Sequence, residues 1–492
     1  MILLLLLIPF VAGITAFFIR HDFARRVILV SAALLHFCIT VSFYFKRPGP
    51  LWDGWLMLDA PGLLFLSITS LLFLMASLYA VNYLRRDKQH RGDADTDDFF
   101  FKTKPEALFT ACLLFFLTTM SIVTVTQHLG ILWVAMGATT LASAPLIYYH
   151  RSHHSLEATW KYLLICSVGI ALALLGNLLL VMACPMDVTG PIPLLINEFV
   201  ANGTSLQPQW LRMAFIFFIV GYGTKMGLAP MHTWLPDAHS EAPSFVSALL
   251  SGALLNCAFL GILRIHQICI AAGEAAFSQE LLRVFGMISI FFAAVFIIGQ
   301  KDYKRMLAYS SVEHMGILAL GVGIGGEAVF ASMFHAVNHS LTKGMLFLVA
   351  GNILMAYGSR ITDSVSGVLK RLTFSGILWI AGFFAITGTP PSGLFVSEFL
   401  ILKTAFAEGR YVTSALYLIL LAVIFAGMAL VFLNMAQGDS KKHNHPENIF
   451  LRERLLSIIP PAILCLITFI LGLYVPDFLN KMLTDVAKCF GG

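Results

Sequence analysis

Charge is scarce in this chain. Asp, Glu, Lys and Arg make up 12% of its 492 residues, about half of the share in an ordinary soluble protein, whereas hydrophobic residues make up 58%. The formal net charge of +5 is spread over the chain, without the basic stripe or aromatic platform of a nucleic-acid-binding protein. This composition excludes a soluble protein and predicts an all-α polytopic membrane protein, in which apolar segments of about 20 residues give about fourteen spans.

Motifs for redox chemistry are also missing. The eight cysteines form no CxxC pair and stand mostly in apolar runs, where cysteine is a small packing residue. No GxGxxG follows a strand pattern, and no nucleophile stands beside a base. We therefore predict no cofactor, metal or catalytic residue. Histidines in HRSHH and HNH lack Cys or acidic partners at ligand spacing, so interfacial solvation is the preferred interpretation for His150, His153, His154, His443 and His445.

One integral membrane domain over residues 1–492 is predicted. Residues 2–19 lack the basic n-region and cleavage site of a signal peptide and are counted as the first span. Lys and Arg gather in the odd-numbered connections, so the positive-inside rule places both termini on the outer side. The predicted spans are 2–19, 27–45, 60–84, 107–127, 129–149, 159–183, 211–230, 243–270, 281–299, 306–324, 328–356, 373–405, 412–436 and 455–475.

The seventh span contains a polar break. Lys225 stands about 14 residues after the apolar run begins at Leu211, which is roughly 20 Å of helical rise and past the middle of a ~30 Å hydrocarbon core. Pro230 has no N–H and clashes with the preceding turn, so the helix must kink or break. A buried charge beside such a break favours an ion path. The alternative is a structural proline kink with Lys225 snorkelling to an interface.

A second interrupted helix lies at 373–405. Gly388, Pro390, Pro391 and Gly393 cannot continue a regular helix, and Glu398 follows within the next apolar turns. Interrupted segments at corresponding positions of two halves are typical of inverted-repeat transporters. We accordingly predict helices 1–3 over 2–84, a first five-helix repeat over 107–270, a second over 281–436 and a last helix over 455–475.

Span 11 carries a polar stripe. Polar side chains recur at i, i+3, i+4, i+7 and i+8 and share one helix face, on which they can hold water and relay protons. The alternative is hydrogen bonding between helices, which also favours a stripe. The members of the stripe are His335, Asn338, His339, Thr342 and Lys343.

An acidic residue precedes this stripe in span 10. Glu313 follows the basic segment KDYKR within a few turns. It either admits protons to the path or pairs with Lys304 or Arg305, and the sequence leaves both open. His232, which follows the break in span 7, is added to the candidate proton-transfer residues.

These motifs together resemble the antiporter-like membrane subunits of respiratory complex I and of the Mrp cation/proton antiporters. The marks are KMGLAPMHTWLPDAHSEAPSFVSALL, QKDYKRMLAYSSVEHMG, HAVNHSLTKGMLFL and GTPPSGLFVSEF. In finer detail, ATTLASAPL, PDAHSEAPS and AYSSVE are most similar to component F of hydrogenase-4. The resemblance implies two inverted five-helix repeats and discontinuous helices 7 and 12. It also implies a prokaryotic inner membrane and partners that include [NiFe] hydrogenase and iron–sulfur subunits.

The resemblance also implies roles for individual residues. The helix 7 lysine corresponds to Lys225, the central lysine to Lys343 with His335 and His339, the exit residue to Glu398, and the basic residue after span 9 to Lys304. The helix 8 position corresponds to Asn256. The acidic residue on helix 5 is replaced by Gly137, and Glu157, Asp237 or Glu241 are the acids that could substitute for it, although Lys161 competes for Glu157.

The sequence thus predicts a proton-translocating, or sodium-linked, subunit of an energy-converting hydrogenase or related oxidoreductase complex. It has no redox centre of its own. Two alternatives stay open: an Mrp-type antiporter or inorganic-carbon-uptake subunit, and a structural membrane module that does not conduct ions.

Overall fold

The computed structural model describes residues 1–91, 105–185, 194–437 and 453–492. These ranges contain helices and isolated bridges but no β-strand. His443 and His445 lie outside them. The α-helices are α1 Ile2–Phe18, α2 Asp22–Phe45, α3 Ala60–Arg91, α4 Pro105–Val125, α5 Leu129–Ile147, α6 His153–Met182, α7 Ile196–Ala201, α8 Pro208–Met226, α9 Trp234–Glu241, α10 Ser244–Leu249, α11 Leu255–Ala271, α12 Ala275–Ile297, α13 Tyr303–Ile324, α14 Glu327–Tyr357, α15 Val368–Arg371, α16 Thr373–Ile386, α17 Gly393–Ala407, α18 Tyr411–Gln437, α19 Leu455–Leu473 and α20 Asp477–Lys488.

The predicted all-α, multi-span membrane fold is confirmed. Twelve segments of the described ranges are long and apolar enough to cross a membrane. The other two predicted spans coincide with shorter helices, namely α1 and the pair α16 and α17. The count of fourteen spans and the inverted repeats remain predictions.

The break in the seventh span begins earlier than Pro230. Helix α8 ends at Met226, because Gly227 adopts the left-handed conformation (φ +83°) that glycine tolerates best. A 3₁₀ turn over Met231–Thr233 then leads into α9. The carbonyl of Thr224 accepts a hydrogen bond from the Trp234 indole at 2.8 Å, so protein groups satisfy the interrupted backbone.

The second break separates α16 from α17. Gly388 has a φ of +59°, and the Ser392 side chain accepts a hydrogen bond from the Phe395 N–H at the start of α17. A Cβ at Gly388 would collide with the Glu398 carboxylate. The break and Glu398 are thus packed directly against each other.

Burial separates the inner helices from the outer ones. The apolar stretches of α13 and of the segment from α10 to α11 are buried throughout, whereas most residues of α2, α18 and α19 are exposed or only partly buried, and these helices present Leu, Ile, Val and Phe side chains outward. Without a membrane such a surface would be unfavourable, but lipid tails cover it. Most of the polar side chains described below are buried inside the protein.

A buried ion pair ties α11 to the beginning of α3. Arg264 is 2% exposed, and its two terminal nitrogens donate to the Asp59 carboxylate, one of them to Oδ1 at 2.8 Å. Asp59 also accepts from the Gly62 N–H at 2.9 Å. Burial raises the pKa of Asp59, but the charge and hydrogen bonds of Arg264 outweigh it, so its pKa is lowered overall. Stability from this pair is therefore present at neutral pH and is lost on acidification through the lowered pKa.

We expect Arg264→Met to lower the melting temperature of the detergent-solubilised protein. Removing one partner of a fully buried pair costs about 3 kcal/mol or more, because the other charge is left uncompensated. The Asp59 side chain is 25% exposed and water can solvate part of its charge, so we expect a smaller loss here. The double variant Arg264→Met/Asp59→Asn should recover part of the loss. Thermal unfolding followed by intrinsic fluorescence tests this, and equal melting temperatures for wild type and Arg264→Met would show that the pair contributes nothing.

Candidate functional site

Lys225 lies in the last turn of α8 and is completely buried. Its Nζ donates to the Tyr162 hydroxyl at 2.9 Å and to the Thr140 hydroxyl, and it stands 4.9 Å from the centre of the Tyr162 ring. The negative end of the α8 dipole also favours a cation here. Because the side chain is held inside the protein, the snorkelling alternative is not what the structure shows.

Neutral hydroxyls surround Lys225 in place of an acid. Within the described ranges, no hydrogen bond or ion pair joins it to a carboxylate. The Tyr162 hydroxyl contacts the Ser143 hydroxyl at 2.6 Å, which extends the polar chain along α5. Gly137 lies on the same helix, one turn before Thr140, and a Cβ there would meet only Ile170 at 3.7 Å.

The structure does not bring the three proposed substitute acids to Lys225. Glu157 faces solvent and pairs with Lys161 at 2.7 Å. Asp237 pairs with Lys161 at 3.1 Å and with Arg305 at 2.8 Å, and Glu241 pairs with Arg360 at 2.6 Å. Basic side chains near the ends of the helices pair with these acids, and in the described ranges none of the three acids contacts Lys225.

Lys304 lies in the first turn of α13, and its buried side chain contacts the end of α9. Its Nζ donates to the backbone carbonyls of Ser240 at 3.1 Å and Ala242 at 2.6 Å. Arg360 donates to the same Ser240 carbonyl at 2.8 Å. Lys304 thus satisfies the last carbonyls of α9.

His232 occupies the 3₁₀ turn that follows the break. It is 4% exposed and packs against the rings of Phe292 at 5.8 Å and Tyr309 at 6.2 Å. Aromatic packing therefore holds the His232 ring, and its Nδ1 makes no hydrogen bond within the described residues.

A third buried lysine lies in the middle of α14. Lys343 is completely buried, and its Nζ donates to the Leu307 carbonyl of α13 at 2.7 Å. Glu313, also on α13, is 2% exposed and interacts electrostatically with Lys343. Glu313 does not pair with Lys304 or Arg305, which have the partners given above. Of the two alternatives for Glu313, the ion pair is not seen in the described ranges of the structure, and proton entry through Glu313 remains a prediction.

Three buried histidines lie beyond Lys343, two of them on α14 and one on α13. His339 stands one turn before Lys343, and neither of its ring nitrogens has a partner in the part of the chain that the structure describes. Its ring is 5.1 Å from that of His314, whose Nδ1 lies 2.9 Å from His335 Nε2. His335 Nδ1 in turn lies 2.9 Å from the Ser397 hydroxyl of α17.

Glu398 completes this cluster. It is 8% exposed and follows Ser397 directly on α17. One donor atom each of His314, His335 and Glu398 lies within 4.8 Å of the other two. The structure thus brings the predicted Lys343, His339, His335 and Glu398 together across α14 and α17.

Polar contacts also connect α11 to the helices that hold Lys343. Between α10 and α11, residues Leu250–Leu254 form a π-helical turn, a feature frequent at functional sites. Ser251 in this turn contacts the Ser311 hydroxyl at 2.8 Å. Asn256 donates to the Ser340 hydroxyl at 2.6 Å. These contacts join α11 and the π-helical turn before it to α13 and α14.

The structure adds residues that the sequence did not single out. They are Thr140, Tyr162 and Ser397. His314, by contrast, follows Glu313 among the polar residues of span 10, so a signal for it was present in the sequence. The hydroxyl residues gave none, because Thr, Tyr and Ser in membrane helices commonly bond to their own backbone.

Comparison with known proteins adds independent support. Residues 126–428 match the family described as "NADH:quinone oxidoreductase/Mrp antiporter, TM". The chain belongs to this family of antiporter-like membrane subunits. The matched residues include Lys225, Lys343 and Glu398.

The hydrogenase-4 component F homolog of Methylacidiphilum infernorum is one curated relative of this chain. The two are 32% identical over 446 residues, which cover 90% of each protein. This confirms the resemblance to component F.

Two solved structures share the fold. One belongs to the archaeal membrane-bound sulfane sulfur reductase, with a TM-score of 0.84 and 21% identity. The other belongs to the Mrp complex of Dietzia sp. DQ12-45-1b, with a TM-score of 0.84 and 19% identity. Each comparison covers 99% of this chain and 97% of the other.

Proposed function

We propose that this chain translocates protons as the antiporter-like membrane subunit of an energy-converting hydrogenase or a related oxidoreductase complex. The observation that carries the proposal is the group of buried ionisable side chains on α13, α14 and α17, in which His339, His314 and His335 lie between Lys343 and Glu398. Each buried charge costs about 2.5–3.5 kcal/mol at the middle of a membrane helix. A purely structural module gains nothing that offsets this cost.

The likeness to hydrogenase-4 component F supports an oxidoreductase as the source of energy. Moving one charge against 100 mV costs about 2.3 kcal/mol, and a membrane subunit without a redox centre needs a driver for that work. We propose that [NiFe] and iron–sulfur subunits supply it. The proposed location is the prokaryotic inner membrane, with both termini on the outer side.

Purification of the native complex tests this assignment. The proposal expects hydrogenase and iron–sulfur subunits to co-elute with the chain, and sealed vesicles to take up protons when the electron donor is added. Co-elution with only antiporter subunits, and cation exchange without redox turnover, would favour the Mrp-type alternative. Replacing Na⁺ with K⁺ in the same vesicles separates proton from sodium transport.

Tyr162→Phe should slow proton uptake about tenfold, because Lys225 loses one of its two hydroxyl acceptors and hydrogen bonds to charged groups contribute about 1.5–3 kcal/mol. The initial rate of proton uptake by sealed vesicles during redox turnover is the measurement. Tyr222→Phe is the matched control, since Tyr222 is also buried, stands on α8 and has a hydroxyl without a partner in the described ranges. Equal rates in the two variants would exclude Tyr162 from the path.

A further inference from the structure

The cluster of His314, His335 and Glu398 has the composition of a metal site. Its members come from three different helices, α13, α14 and α17, and all three side chains are buried. His314 Nδ1 and His335 Nε2 are 2.9 Å apart. Two nitrogens bound to one tetrahedral zinc ion at about 2.0–2.1 Å stand roughly 3.3 Å apart. For the two nitrogens a shift of a few tenths of an ångström is therefore enough, whereas the Glu398 oxygen, which lies within 4.8 Å of both, would move closer to complete the site.

The hydrogen bonds around His335 orient it for this role. The Ser397 hydroxyl donates to the Leu394 carbonyl at 2.8 Å, so its oxygen accepts from His335 Nδ1–H. That assignment leaves the lone pair of His335 Nε2 facing His314 Nδ1. Histidines that bind metals typically donate their other N–H in this way, which fixes both the tautomer and the ring orientation.

A further polar atom lies at the same break. Asn338 is completely buried on α14, one turn after His335. Its Oδ1 has no partner among the described residues, and a Cβ at Gly393, the first residue of α17, would collide with it. The interface of α14 and α17 thus retains acceptor capacity that the protein itself does not use.

The donor set indicates which ion would bind. Two imidazoles and one carboxylate with an open fourth position are typical of Zn²⁺, and Co²⁺ takes the same ligands. Mg²⁺ and Ca²⁺ prefer oxygen ligands alone. Na⁺ is also a hard cation and prefers oxygen ligands to a site with two nitrogens.

We propose that His314, His335 and Glu398 bind Zn²⁺ and that the bound ion blocks the path from Lys343 to Glu398. On binding, His314 changes tautomer: its proton moves from Nδ1 to Nε2, so that Nδ1 offers its lone pair to the ion and the ring releases no net proton. The ion also holds α13, α14 and α17 together and occupies the ring nitrogen and the carboxylate that protons would use. The blocking effect rests on the proposed proton transport, whereas the binding itself does not.

Binding is tested with Co²⁺ on the purified complex, because tetrahedral Co²⁺ absorbs visible light. We expect a stoichiometric spectrum that Zn²⁺ displaces and that His314→Gln and His335→Gln each remove. The control variant His153→Gln/His154→Gln removes the exposed group formed with Glu157, whose donor atoms also lie within 4.8 Å of one another. It should keep the spectrum. A spectrum that survives His335→Gln, or that disappears in the control, overturns the site.

Transport is then measured with and without Zn²⁺ in sealed vesicles, with each variant compared with its own uninhibited rate. Ser397→Ala should raise the half-inhibitory Zn²⁺ concentration about tenfold, since it removes only the group that orients His335. Normal transport that Zn²⁺ leaves unchanged would contradict the blocking effect while the proposed function stands. A Co²⁺ spectrum in vesicles that never move protons would contradict the proposed function while the metal site stands.

Discussion

Lys343→Met should abolish proton translocation while the protein still assembles in the membrane. The side chain is completely buried, lies near Glu313, and stands one turn from His339. Methionine fills a similar volume without a charge, so it removes the proton carrier and leaves the packing of α13 and α14 largely intact. Dye quenching in sealed vesicles during redox turnover measures transport, and co-purification of the partner subunits measures assembly.

Lys403→Met is the matched control for this substitution. Lys403 is 56% exposed and pairs with the exposed Glu327, so its charge can be removed without disturbing the interior. It should transport protons like the wild type. Undiminished translocation by an assembled Lys343→Met complex would support the structural module that conducts no ions and would refute a path through α14.

Gly137→Glu should increase coupled proton transport severalfold. Gly137 stands one turn before Thr140, whose hydroxyl accepts a hydrogen bond from Lys225. A Cβ at this position would meet only Ile170 at 3.7 Å, so the backbone tolerates a side chain. The new carboxylate would stabilise the charged form of Lys225, which neutral hydroxyls now surround. Proton uptake per electron in sealed vesicles is the measurement.

Gly137→Gln controls for size and polarity without adding charge, and it should leave transport near the wild-type level. The gain from Gly137→Glu should also disappear when Lys225→Ala is added, because the carboxylate then lacks its partner. If Gly137→Glu changes nothing and Lys225→Ala is harmless, Lys225 and its hydroxyl shell have no part in translocation.

Long apolar runs made the helices predictable. Every predicted span overlaps a helix, because membrane helices need many apolar residues in succession and polar loops mark their ends. Lys225, Lys343 and Glu398 stood out for the same reason, since charge inside an apolar run is costly. The stripe from His335 to Lys343 followed from the helical repeat alone.

Contacts between distant segments could not be predicted from the pattern of residue types. The sequence offered Glu157 as an acid that could approach Lys225. In the structure Glu157 instead pairs with Lys161, which stands four residues away on the same helix. Tyr162 and Thr140 became visible only when α5, α6 and α8 were packed together. The position of the first break also depended on one backbone conformation, at Gly227, which a pattern of residue types does not reveal.

The most direct measurement of the central claim is the number of protons moved per electron in Lys343→Met, Glu398→Gln and the double variant. If Lys343 and Glu398 act in series on one path, each single variant loses the same share of protons and the double variant loses no more. An unchanged ratio in both single variants, or losses that add in the double variant, would contradict a single path that joins these two residues.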